Sequence, residues 1–248
     1  MIQVGPIPLH LYGLTIAIAL WIAFKLVKNR AALYGLDTSD VEDLFILMAP
    51  LVLIGARLYH VLDKWGYYSQ NLGEIPALWH GGLGIFGALF GGFLGVIIFA
   101  KIKNLKPINF FDLLAPPVAL AQSIGRLGNF ANQEAFGPPT NLPWGVSIRS
   151  ENRPEMWINY SKFHPTFFYE SILLLGISLI LFYFERYKGR KNGQITALYC
   201  ILYCTSRLTT EFYRFDTAVI GPLKTAQVLS ILLIIIGFLI VRRPLWKT

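Results

Sequence analysis

An all-α integral membrane protein, with about seven transmembrane helices and a small extracytoplasmic cap, is the fold class that this sequence predicts on three observations. Apolar residues make up 54% of the chain and charged residues 15%, with a mean hydropathy of +0.51, well outside soluble usage. Apolar stretches recur, most of them at a length close to the roughly 20 residues that a helix needs to cross a hydrocarbon core about 30 Å thick. Lysines and arginines collect in alternate connections, as they do in short cytoplasmic loops. The chain reads as a single helical transmembrane domain over residues 1–248, with a cap insertion at about 134–165.

The first span covers about 9–24. No basic residue precedes Lys25, so this run lacks the positive n-region of a cleaved signal peptide and reads as a retained helix. Lys25, Lys28 and Arg30 follow it. Span two, 44–62, is followed by a connection whose one basic residue is Lys64, and span three, 83–100, ends at Lys101, Lys103 and Lys106. Span four covers 110–124. Span five, 166–184, contains LLGISLILFYF, apolar all round as a lipid-embedded helix requires, and Arg186, Lys188, Arg190 and Lys191 follow it. Span six is 195–206. Span seven, 225–241, is followed by Arg242, Arg243 and Lys247. This alternation predicts an outside N-terminus and a cytoplasmic C-terminus in a multi-pass protein. The connection from Glu134 to His164 is much longer than the others and holds Pro138, Pro139, Pro143, Pro154, Trp144 and Trp157. Loops beyond about 15 residues are usually functional, so it reads as an ordered cap with short strands around WGVSIR.

The net charge of +8 lies mostly in the short loops rather than on one face, which fits topology and anionic headgroups and argues against a nucleic-acid partner. Cys200 and Cys204 lie one helical turn apart without histidine or carboxylate companions at metal spacing, so no metal site is predicted.

Three polar constellations stand out. The segment GRLGNFANQEAFG, 125–137, carries Arg126, Asn129, Asn132, Gln133 and Glu134 at the end of an apolar run, where such groups are costly unless partnered. Helical spacing puts Arg126, Asn129 and Gln133 on one side, and Gly125 and Gly128 permit close approach of another backbone. This is either an anion cradle, with guanidinium and amides around a phosphate, or an internal ion pair of Arg126 with a carboxylate such as Glu134. In span six, Tyr203, Arg207, Glu211 and Arg214 follow an i, i+4, i+8, i+11 spacing on one helix face. Glu211 either orients Arg207 for a ligand or simply neutralises it. HPTFFYES, 164–171, reads by itself as a helix start, with His164 at the cap and Pro165 in the first turn. Tyr12, Tyr59, Trp65 and Trp79 fit an interfacial aromatic belt.

These segments together resemble the prolipoprotein diacylglyceryl transferase family. GRLGNFANQEAFG is similar to the family signature, HPTFFYES to its HPT-x-x-YE block, and YCTSRLTTEFYR to its arginine-glutamate block. LHLYGL, IGARLYHVL at 54–62 and WHGGLGIFGALFGG at 79–92 add weaker matches in the right order. The resemblance implies transfer of a diacylglyceryl group from phosphatidylglycerol to the thiol of the lipobox cysteine in a preprolipoprotein signal peptide, with release of glycerol 1-phosphate. It places the protein in the bacterial cytoplasmic membrane and requires no cofactor. Arg126 and Arg207 match the family's two essential arginines. Asn129 and Glu134 match signature positions that orient the headgroup and Arg126, while Tyr12, Tyr203 and Glu211 match a supporting polar shell. Gly137 matches the closing glycine, and Asn132 and His164 join the substrate-binding set. The catalytic set implied is Arg126, Arg207, Glu134 and Glu211.

One position departs from the pattern, because some relatives have a histidine where this chain has Phe86, and His80 lies six residues earlier. The proton acceptor for the substrate thiol is then Glu134, Glu211, a tyrosine, water or none, with thiolate stabilised near the arginines as the preferred reading. Two other classes compete. A secondary transporter of an organic anion would also bury arginines, but such folds commonly carry repeated halves, and no repeat is visible here. An intramembrane serine protease needs a serine with a base; no G-x-S-x-G occurs, and no histidine follows the GIS at 176–178.

Overall fold

The computed structural model describes residues 2–4, 7–9, 11–187, 189, 191–213, 219–220 and 223–242. Arg214, Lys188, Arg190, Arg243 and Lys247 lie outside the described residues. The chain is mainly helical, with a little two-stranded sheet. In order it forms β1 (Ile2–Val4), β2 (Ile7–Leu9), α1 (Leu11–Arg30), α2 (Thr38–Asp63), the single turn α3 (Trp65–Tyr68), α4 (Ile85–Ile102) and α5 (Pro107–Asn132). There follow β3 (Val146–Ser147), β4 (Lys162–Phe163), α6 (Thr166–Glu185), α7 (Gln194–Glu211), β5 (Val219–Ile220), β6 (Leu223–Lys224) and α8 (Thr225–Arg242). Each strand pair is antiparallel.

Four helical segments are long and apolar enough to cross a membrane: Leu11–Tyr34, Thr38–Asp63, Ile85–Ile102 and Thr166–Glu185. The other three stretches read as spans fall on α5, α7 and α8. α5 and α7 are long enough, but they carry the polar residues discussed below, and α8 contributes the apolar segment Ser230–Leu239.

The chain divides into two compact units, residues 28–111 and residues 1–27 with 112–248. In the first, α2 and α4 meet backbone to backbone. Gly87, Gly91 and Gly95 recur every fourth residue on α4. A Cβ on Gly87 would come within 2.0 Å of the Gly55 carbonyl oxygen, and one on Gly91 within 2.2 Å of that of Leu51. Small residues at this spacing let helices associate by van der Waals contact where no hydrophobic force separates them from lipid. Arg57 on α2 is buried, and its guanidinium donates to the carbonyls of Ile75 (2.8 Å), Glu74 (2.5 Å), Gly81 (2.6 Å) and Gly82 (3.1 Å), pinning the connection to α4. At the opposite end of these helices Lys103 reaches Asp40 (3.1 Å) and Asp43 (3.0 Å), and Lys28 pairs with Glu42. Hydrogen bonds to Asp43 and then Asp40 raise the Lys103 ammonium above its ordinary value. That contribution is complete below the ordinary lysine pKa and fades only as pH climbs through the raised one.

In the second unit α5, α6 and α7 hold each other by polar groups. Asp112, buried on α5, accepts from the backbone N–H groups of Gly193 (2.6 Å) and Thr196 (2.8 Å) and from the Thr196 hydroxyl (2.6 Å), capping α7 from a neighbouring helix. Pro116 and Pro117 lie inside α5, and the Pro116 carbonyl accepts from Ser178 Oγ on α6 at 2.9 Å. Gly237 on α8 faces Ile201 and the Ala197 carbonyl of α7.

Gly87→Val should lower thermal stability by about 1–3 kcal/mol or more, because the new side chain meets backbone that cannot yield. Melting of the detergent-solubilised protein checks this, and an unchanged midpoint refutes the seam. Asp112→Ala strands two helix-terminal donors and should cost about 2 kcal/mol in the same assay.

Candidate active site

Two reciprocal hydrogen bonds set the site's frame. Ser123 Oγ on α5 donates to the Ser171 carbonyl on α6 (2.8 Å), and Ser171 Oγ donates to the Ser123 carbonyl (2.9 Å), both side chains being buried. Three residues beyond Ser123 comes Arg126, and one residue before Ser171 comes Glu170. The crossing therefore brings those two together: Arg126 Nε lies 2.7 Å from Glu170 Oε2. From α7, Arg207 Nη1 lies 3.1 Å from Glu170 Oε1, while its Nη2 lies 3.3 Å from Glu211 Oε2. Two guanidiniums thus share one carboxylate, and a second carboxylate one turn along α7 orients Arg207. Tyr203 lines the same small cavity, of about 10 Å³, with Ser206 and Thr210.

α5 does not stop where the apolar run stops. It continues through Arg126 and Asn129 to Asn132, then ends in a Schellman-type turn: Gln133 N–H donates to the Phe130 carbonyl and Glu134 N–H to the Asn129 carbonyl, with Gln133 at φ 52°. That left-handed residue carries its side chain away from the arginine face, contrary to the helical spacing. Gln133 Oε1 instead accepts from Arg149 N–H (2.9 Å) and Asn152 Nδ2 (3.3 Å), fastening the long connection.

That connection is ordered around its own apolar cluster of Phe136, Ile148, Phe163 and Phe167. Val146 pairs with Phe163 in the β3–β4 hairpin, at the expected WGVSIR segment. Gly137 lies against it, its N–H donating to the His164 carbonyl at 2.8 Å, and a Cβ there would come within 3.0 Å of His164 Cβ and the Tyr213 carbonyl. Pro165, rather than His164, stands at the N-cap of α6, and no side chain caps that end. His164 Nδ1 pairs with the Tyr169 hydroxyl at 3.2 Å, and Trp144 Nε1 donates to the same oxygen at 2.8 Å.

The sequence-predicted residues therefore fall into groups. Arg126, Arg207, Glu211 and Tyr203 converge. Asn129 is buried on α5 three residues from Arg126. Tyr12 on α1 packs on Gly128, where a Cβ would come within 2.9 Å of its ring, and Gly125 receives Ile16 in the same way; side chains of α1, not its backbone, fill the glycine gaps. Asn132 and Glu134 are exposed and bonded to each other, Nδ2 to Oε1 at 3.2 Å, and the carboxylate that pairs with Arg126 is Glu170 rather than Glu134. Gly137 and His164 belong to the connection beside Tyr169.

Sequence reasoning missed Glu170, although its signal was present: it is the one charged residue in the apolar run 166–184. It also missed the apolar cavity next to it. About 590 Å³ in volume, this cavity is walled by Leu127 and Phe130 of α5, Phe168 and Ile172 of α6, and Trp144 and Val146 of the connection, with Tyr169 at its edge. Leu127 follows Arg126 and Tyr169 precedes Glu170, so an anion-binding group and an apolar cavity flank the same pair of helices. Chemically this suits a ligand with an anionic head and an apolar body. Among the described residues no cluster of histidine, cysteine and carboxylate side chains is arranged for a metal ion.

The sequence profile described as prolipoprotein diacylglyceryl transferase matches residues 1–243. Proteins named phosphatidylglycerol–prolipoprotein diacylglyceryl transferase are similar over almost the whole chain. That of Acaryochloris marina is 41% identical over 240 residues, covering 96% of this chain and 87% of the relative. That of Synechocystis sp. is 42% identical over 242 residues, covering 96% and 86%, and that of Streptococcus pneumoniae is 42% identical over 242 residues, covering 97% and 91%. With this coverage and this identity, the chain belongs to the prolipoprotein diacylglyceryl transferase family.

Proposed function

We propose that this protein transfers the diacylglyceryl group of phosphatidylglycerol to the thiol of the lipobox cysteine in preprolipoprotein signal peptides, the first step of lipoprotein maturation. The observation that carries the chemistry is the convergence of Arg126 and Arg207 on one buried carboxylate beside an apolar cavity. It works in the bacterial cell membrane as one multi-pass helical domain, with α1, α2, α4, α5, α6, α7 and α8 as spans, the N-terminus outside and the C-terminus cytoplasmic. The connection at about 134–165 is its extracytoplasmic cap.

The substrate thiolate attacks the glycerol carbon that bears the phosphate. A sulfur–carbon bond forms, the carbon–oxygen bond to phosphate breaks, and the electron pair leaves on the phosphate oxygen. Glycerol 1-phosphate carries that charge until it takes up a proton equivalent to the one the thiol gave up. Arg126 and Arg207 stabilise the departing phosphate in a low-dielectric setting where fixed donors are worth most. Glu211 keeps Arg207 oriented, and Tyr203 and Asn129 complete the polar wall. Tyr12 braces α5 behind the arginine. Gly137 and His164 shape the connection over the head of the cavity, and Glu134 with Asn132 forms its exposed rim, where the headgroup glycerol and the peptide approach. An acyl chain occupies the cavity of Leu127, Phe130, Phe168 and Ile172.

Incubation of the purified protein with phosphatidylglycerol and a lipobox peptide, followed by mass analysis of the cysteine, tests the reaction directly: a thioether-linked diacylglyceryl adduct is expected. Arg126→Ala and Arg207→Ala should each lower the rate by at least about 10²-fold with melting preserved. A folded Arg126→Ala protein working at the parental rate rules the assignment out. Lysine at either position should remain impaired because an ammonium offers no planar fork, and full activity of both lysine variants would reduce the requirement to charge alone. Ile172→Trp, which fills the cavity, should slow transfer from long-chain phosphatidylglycerol more than from a short-chain form. Equal slowing of both would remove the acyl chain from that cavity.

A further inference from the structure

We propose that Glu170 is an internal anion, held by the two arginines in the resting protein and exchanged for the substrate's phosphate. The proposal rests on the transferase reading above and adds a positioning residue to it. Three observations carry it. Glu170 spans both guanidiniums, with one oxygen on each, so it occupies the space between them that a phosphate would need. The pocket they line, about 10 Å³, has room for no more than one water, so a phosphate held between both guanidiniums replaces Glu170 there rather than adding to it. The arginine side chains are 27% and 19% exposed whereas that of Glu170 is 6% exposed, so an incoming anion meets the cations first.

Charge points the same way. The formal charges of Arg126, Arg207, Glu170 and Glu211 cancel, and a phosphodiester approaching these four residues without displacement would have a carboxylate in its path. Glu211, wholly buried, keeps its hold on Arg207 Nη2 while Nη1 changes partner. Arg126 is gripped through Nε, so losing Glu170 leaves the whole guanidinium for the headgroup. In the resting state Glu170 keeps two cations close together and aligned; during the reaction its withdrawal gives their full charge to the leaving group. Reoccupation of the arginines by Glu170 then helps expel glycerol 1-phosphate.

The test is Glu170→Gln, which keeps shape and removes charge. Calorimetric titration with glycerol 1-phosphate should give a Kd about tenfold lower than that of the parental protein, because the competing anion is gone. Turnover in the peptide assay should fall by at least about tenfold as the arginines lose alignment and product leaves slowly, so binding and kcat move in opposite senses. Glu170→Asp should return Kd toward the parental value. A Kd that is unchanged or higher in folded Glu170→Gln overturns the proposal. If that variant does not fold, the parental protein decides: on adding glycerol 1-phosphate its infrared carboxylate bands should shift as Glu170 releases the guanidiniums, and a flat difference spectrum overturns the proposal. Failure of the parental protein to form the diacylglyceryl adduct would instead count against the transferase reading, while the titration still reports on anion exchange.

Discussion

A guanidinium among apolar helices has to be given acceptors, and much of the second unit follows from how this chain meets that demand twice with shared carboxylates. Placing Arg126 on α5 and Arg207 on α7 would cost about 3 kcal/mol each on insertion scales if neither had a partner. Glu170 answers both at once from α6, the helix that touches the other two. Because its two oxygens point to different helices, the ion pair fixes the relation of three helices rather than two. The Ser123–Ser171 crossing and the Asp112 cap of α7 are hydrogen bonds at other heights of the same helices, and together they leave little freedom in where the arginines come to rest.

The cost of that arrangement shows in composition. α5 and α7 are long enough to span a bilayer, yet they fall short of the hydropathy reached by α1, α2, α4 and α6. The shortfall comes from the polar residues that join these helices to their neighbours or lie at the candidate site: Asp112, Ser123, Arg126 and Asn129 on α5, and Thr196, Arg207 and Glu211 on α7. The first unit has no such burden and uses a different solution. There α2 and α4 gain their proximity from glycines, and the buried cation Arg57 is satisfied by backbone carbonyls that have no net charge to move. A cation bound by carbonyls is a fastening; a cation bound by carboxylates can trade partners.

What was legible in the sequence was what depends on neighbours along the chain. Apolar runs located the seven long helices, while α1, α2, α5 and α7 extend several residues past the apolar run at one end, and the i, i+4 relation of Arg207 and Glu211 was visible because helical geometry fixes it. The hairpin at Val146 was readable from WGVSIR. What was not legible depends on separation in sequence or on a single dihedral. Glu170 lies 44 residues from Arg126 and 37 from Arg207, and no spacing rule joins them. Gln133 was assigned to the arginine face because a helix was assumed to continue, whereas a left-handed residue at that position turns the side chain into the connection. The glycines of α4 are a weak match in sequence and decisive as a surface, since only a partner backbone reveals why Gly87 and Gly91 must lack side chains.

The aromatic residue at position 86 bears on where the proton of the thiol goes. Phe86 sits in the first turn of α4, largely exposed, with its ring 5.6 Å from that of Tyr59. It offers packing and no site for a proton. The reaction needs thiolate, and a base is only one way to obtain it; a strong local field that favours the anion is another. In the exchange proposed for Glu170 one monoanion replaces another, so the two guanidiniums stay neutralised until the carbon–oxygen bond breaks, and it is the charge developing on the leaving phosphate that they then meet.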